Sequence, residues 1–313
     1  MNYENIALLT LQNVKGYGPK RISKILESID VFLIKTSDDL FNALDNLEFN
    51  INIPSKKEID IYWDKSEKII KKSIDNKINI ISIFDDLYPN SLKNIEDPPF
   101  LVHLKGNIDL LRKESVAIVG TRKPCDFSKK TTVFITKKMV EKDLCIVSGL
   151  AEGIDTIAHE TTLKNNGYTI GVIAHGLHMI YPEENMGLSR RILKKNGLLL
   201  SEQPYGTSYN KGFFIARDRI QSGLSKAVYI IETAIKGGTM KTADFTLKQN
   251  KKLYVLKPPE ELQNQKRYLG NMFLLSDKGI PFTNNTLYPD FKEDNDRYKK
   301  NSQNKGQQNI LDY

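Results

Sequence analysis

VAIVGTRKPCDFSKKTTVFITKKMVEKDLCIVSGLAEGID, residues 116–155, decides the fold. Two short apolar β-rich runs, Val116–Val119 and Leu144–Val147, stand about one helix length apart. Each ends in a glycine turn: Gly120-Thr121-Arg122 after the first, and Ser148-Gly149-Leu150-Ala151-Glu152-Gly153 after the second. A strand, a crossover helix and a second strand form the βαβ unit of a doubly wound parallel sheet, whose ligands bind off the carboxyl ends of the strands. Both turns fall at those ends. Small residues there let backbone N–H groups approach a phosphate, and the following helix N-terminus adds a favourable dipole. Arg122, just past its strand in the first glycine turn, can fork onto phosphate oxygens. Ordinary βα turns that need a positive φ would look the same singly. Two in one unit, with an arginine in the first, favour a phosphate-bearing ligand.

The pattern extends downstream. Strands are expected at Tyr168–Ala174, Leu198–Ser201, Ala227–Glu232 and Leu253–Leu256, with helices between. Their near-continuous apolar runs indicate burial on both faces. Upstream, Ile78–Phe84 reads as a strand, followed by a turn through Asp85–Pro89 and the segment Pro98–Leu104. Residues 4–29 read as two short helices around Val14-Lys15-Gly16-Tyr17-Gly18-Pro19, which resembles a helix-hairpin-helix: the glycines permit the hairpin, and Pro19 suits the first helical position. Lys15, Lys20 and Arg21 could accompany DNA contact there; a structural or protein-contact role is the other reading. Residues 36–75 continue as helices, with Trp63 a core or rim aromatic. The expected organisation is an α/β protein with a small helical domain over 1–75, a ligand-binding sheet domain over 76–283 and a polar, disordered tail over 284–313. The closing Ile310–Tyr313 is a frayed end or a short docking motif.

Composition narrows the function classes. The 313-residue chain has a formal charge of +8. Residues 1–75 carry 11 Lys/Arg against 12 Asp/Glu, residues 76–283 carry 30 against 21, and residues 284–313 carry 5 against 5. The basic excess therefore lies in the sheet domain and suits a polyanionic partner. No apolar run reaches transmembrane length and the acidic-polar N-terminal stretch MNYENIALLTLQ is unlike a secretory signal, so no membrane association is expected. Cys125 and Cys145 alone indicate a reduced, cytoplasmic protein. The only GxG, Gly16-Tyr17-Gly18, does not follow a strand, and no P-loop occurs, so no nucleotide cofactor is expected. His175 and His178 lack a third ligand at metal spacing. His159 reads as a buried histidine at the start of a helix, and Asp155 as an N-cap or turn residue. Ser148 is outside any nucleophile elbow, and no catalytic residue is assigned.

The second informative stretch is residues 197–249. Lys211-Gly212-Phe213-Phe214-Ile215-Ala216-Arg217-Asp218-Arg219 interleaves basic and aromatic residues, read here as a loop. Single-stranded nucleic acid binding needs that pairing: charge tracks the backbone while rings stack bases, each stack contributing about 1–3 kcal/mol. Alternatively the phenylalanines pack in the core and the arginines pair with Asp218 or Glu202. A third glycine loop, residues 232–243, offers Gly238, Thr239 and Lys241 to another phosphate.

Taken together, Val147–Asp155 with Ala158-His159, Gly120-Thr121-Arg122, Gly176-Leu177 with Ile180–Asn185, Ser201-Glu202 with Pro204 and Gly206-Thr207, the arginines before Ser222–Ser225, and Thr242-Ala243 resemble the DNA-processing protein A family. Asp86-Leu87-Tyr88-Pro89 and Pro98-Pro99 match as well, and the motifs run collinearly from the hairpin to about residue 257. The resemblance implies a helical, SAM-like N-terminal domain and an extended Rossmann-like domain that binds single-stranded DNA. It implies protection of incoming strands in natural transformation, a role in recombination by loading the RecA recombinase, a homodimer, and no catalysis. The family's phosphate-binding arginine maps onto Arg122, and its basic-aromatic segment onto Lys211, Phe214, Arg217 and Arg219. Ser148, Gly149, Gly120 and Thr121 complete the expected interface.

The chain departs from the family pattern in places. Arg217-Asp218-Arg219 replaces Arg-Asn-Arg, Phe214-Ile215 replaces Phe-Pro, and Gly237-Gly238 replaces Ser-Gly. His178 stands where an aspartate commonly follows Gly-Leu, Pro258-Pro259 replaces Pro-Gly, and no winged-helix domain is expected. A divergent homologue from a mobile element or defence locus fits these changes. The alternative is a nucleotide-binding or nucleotide-hydrolysing protein of the lysine-decarboxylase-like type, suggested by Gly237-Gly238-Thr239. Its catalytic glutamate is missing from the following helix, where Asp244 stands instead.

Overall fold

The computed structural model describes residues 2–49 and 51–283. The tail over 284–313 and its closing motif lie outside the described residues. Four helices open the chain: α1 (Tyr3–Asn13), α2 (Pro19–Leu26), α3 (Ser37–Asp45) and α4 (Lys56–Asp75). Capping boxes start two of them, Thr36 with Asp39 and Ser55 with Glu58, each satisfying two amides that a helix leaves open. Their apolar faces meet in a core containing Leu8, Leu40, Ile59 and Trp63, which also takes in Leu101 from the sheet and Phe100 just before it. Asn5 Nδ2 donates to the Ile80 carbonyl at 3.1 Å, so the helical unit is bonded to the sheet edge as well as packed on it. At the hairpin, Arg21 folds back: Nη1 donates to Gly16 O at 2.8 Å and the guanidinium lies 5.6 Å from the Tyr17 ring centroid.

The remaining chain builds one nine-stranded sheet among the described residues, in the order β1-β2-β6-β5-β4-β3-β7-β8-β9. In sequence these are β1 (Asn79–Ser82), α5 (Asn90–Lys93), β2 (Leu101–Gly106), β3 (Ser115–Val119), α6 (Asp126–Glu141), β4 (Cys145–Ser148), α7 (Ile154–Lys164) and β5 (Thr169–Ile173). Then come α8 (Met186–Lys194), β6 (Leu198–Ser201), α9 (Lys211–Leu224), β7 (Ala227–Ile230), α10 (Thr239–Lys248), β8 (Lys252–Leu256), α11 (Glu260–Gln263), α12 (Leu269–Ser276) and β9 (Ile280–Phe282). β1 and β2 run antiparallel to their neighbours; β6, β5, β4, β3, β7, β8 and β9 are mutually parallel. Side-chain alternation splits β3 between two cores. Val116 and Ile118 join Ile135, Met139 and Ala158 of α6 and α7, while Ala117 and Val119 join Ile220 of α9 and Ala243 of α10. All five β3 residues are buried, which explains the unbroken apolar run. The doubly wound, mostly parallel α/β fold with a helical N-terminal unit is thus observed.

The structure departs from the sequence reading in three local respects. Residues 211–224 form α9 rather than a loop; Asn210 caps it by accepting from Phe213 N at 3.0 Å. His159 lies in the middle of α7, not at its start. β9, only three residues long, was not foreseen.

Candidate nucleic-acid interface

After β3 the chain passes to β4 on one side, and after β6 it returns to β7 on the other. The loops following β3 and β7 therefore diverge and leave a crevice between them, where doubly wound sheets hold ligands. A cavity of about 490 Å³ occupies it, walled by Gly120–Lys123, by Thr233–Ala234 with Gly237–Thr239, and by Phe214, Arg217 and Asp218 of α9. Two of the three glycine loops thus face each other across one space. Gly120 and Gly153 serve close approach: a Cβ on Gly120 would stand 2.7 Å from Ile154 Cγ1, and one on Gly153, at φ +78°, 2.4 Å from Thr121 O. The turns after β3 and β4 consequently interlock. Gly238 differs, since a Cβ there would meet nothing within 4 Å. The Gly238 and Thr239 amides, at the start of α10, have no acceptor among the described residues. They remain available to an anion.

Arg122 is exposed at the cavity mouth, its guanidinium 5.8 Å from the centroid of the Phe214 ring. That distance is within cation–π range. Beside Phe214 stand Tyr181 and Tyr209, stacked on each other at 3.9 Å and lying 5.9 and 6.4 Å from the Phe214 centroid. Tyr181 follows β5, Tyr209 follows β6, and Phe214 lies on the first turn of α9, so the carboxyl ends of the strands bring them together. The sequence reading singled out neither tyrosine as a site residue, and it missed Lys123 in the cavity wall. A signal existed in aromatics within loops that follow parallel strands. What was lacking was the order of the strands, which makes those loops neighbours.

The cavity floor is a closed polar cluster. Arg217 is buried and its Nη1 donates to Gly149 O at 2.7 Å and Val172 O at 2.6 Å, while Nε lies 3.1 Å from Asp218 Oδ1. Asp155, also buried, accepts from Gly149 N at 3.0 Å and Ala151 N at 3.4 Å. Gln221, with its amide oxygen turned toward the donors, accepts from Arg217 Nη1 at 3.1 Å and Gly149 N at 2.7 Å. Burial pushes the Asp218 carboxyl up from its ordinary value to about 6, against the opposing pull of Arg217. Burial raises Asp155 in the same way, again opposed by Arg217.

These contacts change the expected site. Ser148 is fully buried and its hydroxyl donates to Ile118 O at 2.7 Å, so it holds β4 to β3 instead of reaching for a ligand. The Gly149 amide is engaged by the floor; a Cβ there would fall 1.9 Å from Arg217 Nη1, so this glycine makes room for the arginine. Arg219 is buried and binds Glu202 through both Nη atoms at 2.9 and 2.6 Å, with Nε donating to Asp97 O at 2.8 Å. On a helix, residues two apart point about 200° from each other, so Arg217 and Arg219 cannot share one groove. Arg217 supports the cavity from beneath, and Arg219 ties α9 to the segment before β2. Lys211 and Lys241 are exposed and do not line the cavity.

The three histidines that the sequence reading weighed each make an internal bond, whereas His103 is buried on β2 with neither ring nitrogen bonded among the described residues. His159 Nδ1 lies 2.7 Å from Thr169 Oγ1, and burial with the nearby Arg217 charge lowers it to about 3. His175 Nε2 accepts from Tyr181 N at 3.1 Å, and His178 Nδ1 from Gly206 N at 3.2 Å. No metal-binding cluster occurs among the described residues, and none of their helices is long and apolar enough to cross a membrane.

The family profile of DNA recombination-mediator protein A matches residues 79–285, a span that holds all nine described strands. The chain belongs to this family. It is 39% identical to the DNA processing protein DprA of Bacillus subtilis over 202 residues, covering 64% of this chain and 68% of that protein. Against the Smf protein of Synechocystis it is 39% identical over 183 residues, covering 57% of this chain and 46% of that one. The X-ray structure of DprA from Streptococcus pneumoniae superposes with a TM-score of 0.73 at 29% identity, over 90% of this chain and 94% of the other. DNA processing protein A from Helicobacter pylori, described for a unique single-stranded DNA binding mode, superposes with a TM-score of 0.59 at 29% identity over 72% and 97%. The family's sheet domain and the helical unit before it are therefore both represented in solved relatives.

Proposed function

We propose that this protein binds single-stranded DNA across the carboxyl-end rim of its sheet, as a binding module with no catalytic step. The observation that carries this reading is the placement of Arg122 against Phe214, with the Tyr181–Tyr209 stack alongside. A guanidinium takes a backbone phosphate while adjacent rings offer faces to unpaired bases, and duplex DNA has no free faces to give. The Gly238 and Thr239 amides and Lys123 supply further phosphate partners across the cavity, with Lys211 and Lys241 contributing field from the flanks. Membership of a recombination-mediator family extends the reading to protection of incoming strands and loading of RecA, by a cytoplasmic homodimer. Nucleotide hydrolysis is the weaker reading: Asp244 is exposed and pairs with Lys248 at 3.1 Å, away from the cavity.

A salt titration of binding to labelled single strands, measured by fluorescence anisotropy, tests the proposal. Affinity should fall steeply with salt and exceed that for a blunt duplex. Arg122→Ala should weaken all sequences alike and lower the salt slope by about one unit. Phe214→Ala should cost roughly 1–3 kcal/mol with the slope nearly unchanged. If both folded variants bind like wild type, the rim is not the site.

A further inference from the structure

The N-terminal helical unit and the sheet domain enclose a second groove, of about 740 Å³, that the proposed rim does not use. One wall is α4, which presents Ile61, Lys65, Lys68, Ile69 and Lys72; the other is the loop Pro204–Thr207 after β6. Positions 61, 65, 68 and 72 recur at helical spacing, so the three lysines form one stripe beside two isoleucines. Lys65 Nζ donates to Asn13 Oδ1 at 2.8 Å, while Lys68 and Lys72 have no acidic partner among the described residues. Asp64 is the one acid in the lining. The regional charge hid this face: residues 1–75 net −1, yet residues 65–72 hold Lys65, Lys68, Lys71 and Lys72 against Glu67 alone.

The groove and the aromatic rim share the loop after β6. Tyr205 in the groove wall lies 4.9 Å, ring to ring, from His178, and Tyr209 of the rim belongs to the same loop. That loop is fixed in place by Gly206 N donating to His178 Nδ1 and Gly176 N donating to Thr207 O at 2.9 Å. A cationic stripe beside two isoleucines, with a row of rings on the adjoining loop, fits an extended polyanion with flat hydrophobic side groups. We propose that single-stranded DNA leaving the aromatic rim continues across the domain junction in this groove, with Lys65, Lys68 and Lys72 on its phosphates. DNA contact by the N-terminal unit is thereby assigned to α4 and not to the hairpin turn, where Arg21 is folded onto Gly16. The inference rests on the rim being the primary site.

The test uses the full chain and labelled oligothymidylates of graded length. Lys65→Ala/Lys68→Ala/Lys72→Ala should bind the shortest oligomer that wild type retains with unchanged affinity. It should lose about tenfold on the longest, and its salt slope there should fall by about two units, three phosphates at roughly 0.7 each. Lys20→Ala/Lys57→Ala/Lys71→Ala removes the same charge away from the groove and should lose little at any length. The proposal is overturned if the stripe variant binds long oligomers like wild type, which would leave the groove to an acidic protein partner. Equal losses at all lengths, or an equal loss in the control variant, also overturn it, since general field would then explain the effect. Arg122→Ala separates the two readings: it should weaken every length, and failure to do so sinks the rim while leaving a length-dependent stripe effect intact.

Discussion

Asp218 is the residue at which this chain and its family's pattern part, and its surroundings predict a measurable consequence. The carboxyl is nearly buried among Arg217, Asp155 and Thr242, and desolvation raises it from 3.8 to about 6. A raised carboxyl pKa means that the fold favours the protonated form. This contribution to stability is complete below 3.8 and is lost as pH rises through about 6. Asp218→Asn should therefore gain in stability relative to wild type between pH 5 and pH 8, by roughly 1–3 kcal/mol, read from urea melts. The same charge faces the cavity, so wild-type affinity for single strands should rise about fivefold from pH 8 to pH 5, roughly 1 kcal/mol for one charge. The Asn variant, measured alongside, should be nearly flat; His178 still titrates in it, so an unchanged pH step there would assign the effect to the histidine. Arg219 tells the opposite story. Its side chain serves Glu202 and Asp97, hence Arg219→Ala should cost about 2–3 kcal/mol of stability, the usual loss for a broken buried pair discounted for the partly exposed acids. Binding by the remaining folded protein should hardly change. Composition announces two arginines near a ring but not their directions, because direction follows from helix phase, which a loop reading of the segment does not contain.

Among the elements, the strands were the most legible. Runs buried on both faces admit few alternatives, and the glycine turns marked their carboxyl ends to within a residue or two. α9 was not legible as a helix, since Gly212 and two adjacent phenylalanines weaken the helical pattern and the familiar motif suggested a binding loop. Its amino-terminal turn is the mechanical link between fold and site. Asn210 Oδ1 accepts from Phe213 N, so the cap fixes the turn that carries Phe214 toward Arg122 and the tyrosines. Asn210→Ala should cost about 1 kcal/mol of stability and let that turn fray. Single-strand affinity should fall with it, and Asn210→Asp, which restores an accepting cap, should recover stability. Equal affinity in a measurably destabilised Ala variant would mean that the rim does not depend on an ordered first turn. Gly149→Ala probes the element beneath. The added Cβ would collide with the Arg217 guanidinium at 1.9 Å, and overpacking of this kind costs roughly 1–3 kcal/mol.

At the scale of the molecule, the expected boundary near residue 75 separates elements but not cores. α4 ends at Asp75 and β1 begins at Asn79, yet the helical core is completed by Leu101, the first residue of β2, and by Phe100 just before it. The sequence could suggest a boundary from the change of periodicity; it could not reveal that the sheet edge lends side chains to its neighbour. Two units that share a core gain little by unfolding separately, because parting them exposes those side chains and strands the Asn5–Ile80 hydrogen bond. The intact chain should accordingly unfold in one transition. Trp63 makes this testable without labels. It is the only tryptophan, buried in the helical core with Nε1 donating to Glu67 at 3.1 Å, so its fluorescence reports on that unit alone. Far-ultraviolet circular dichroism reports on all elements, most of which lie in the sheet domain. Urea midpoints from the two signals should coincide, and Phe100→Ala, which removes a shared side chain, should lower both together, through a loss of roughly 3–5 kcal/mol of unfolding free energy for a buried phenylalanine. A tryptophan transition well before the dichroism change would show two independent folding units, and the groove between α4 and the Pro204 loop would then be a joint that opens below the global unfolding midpoint.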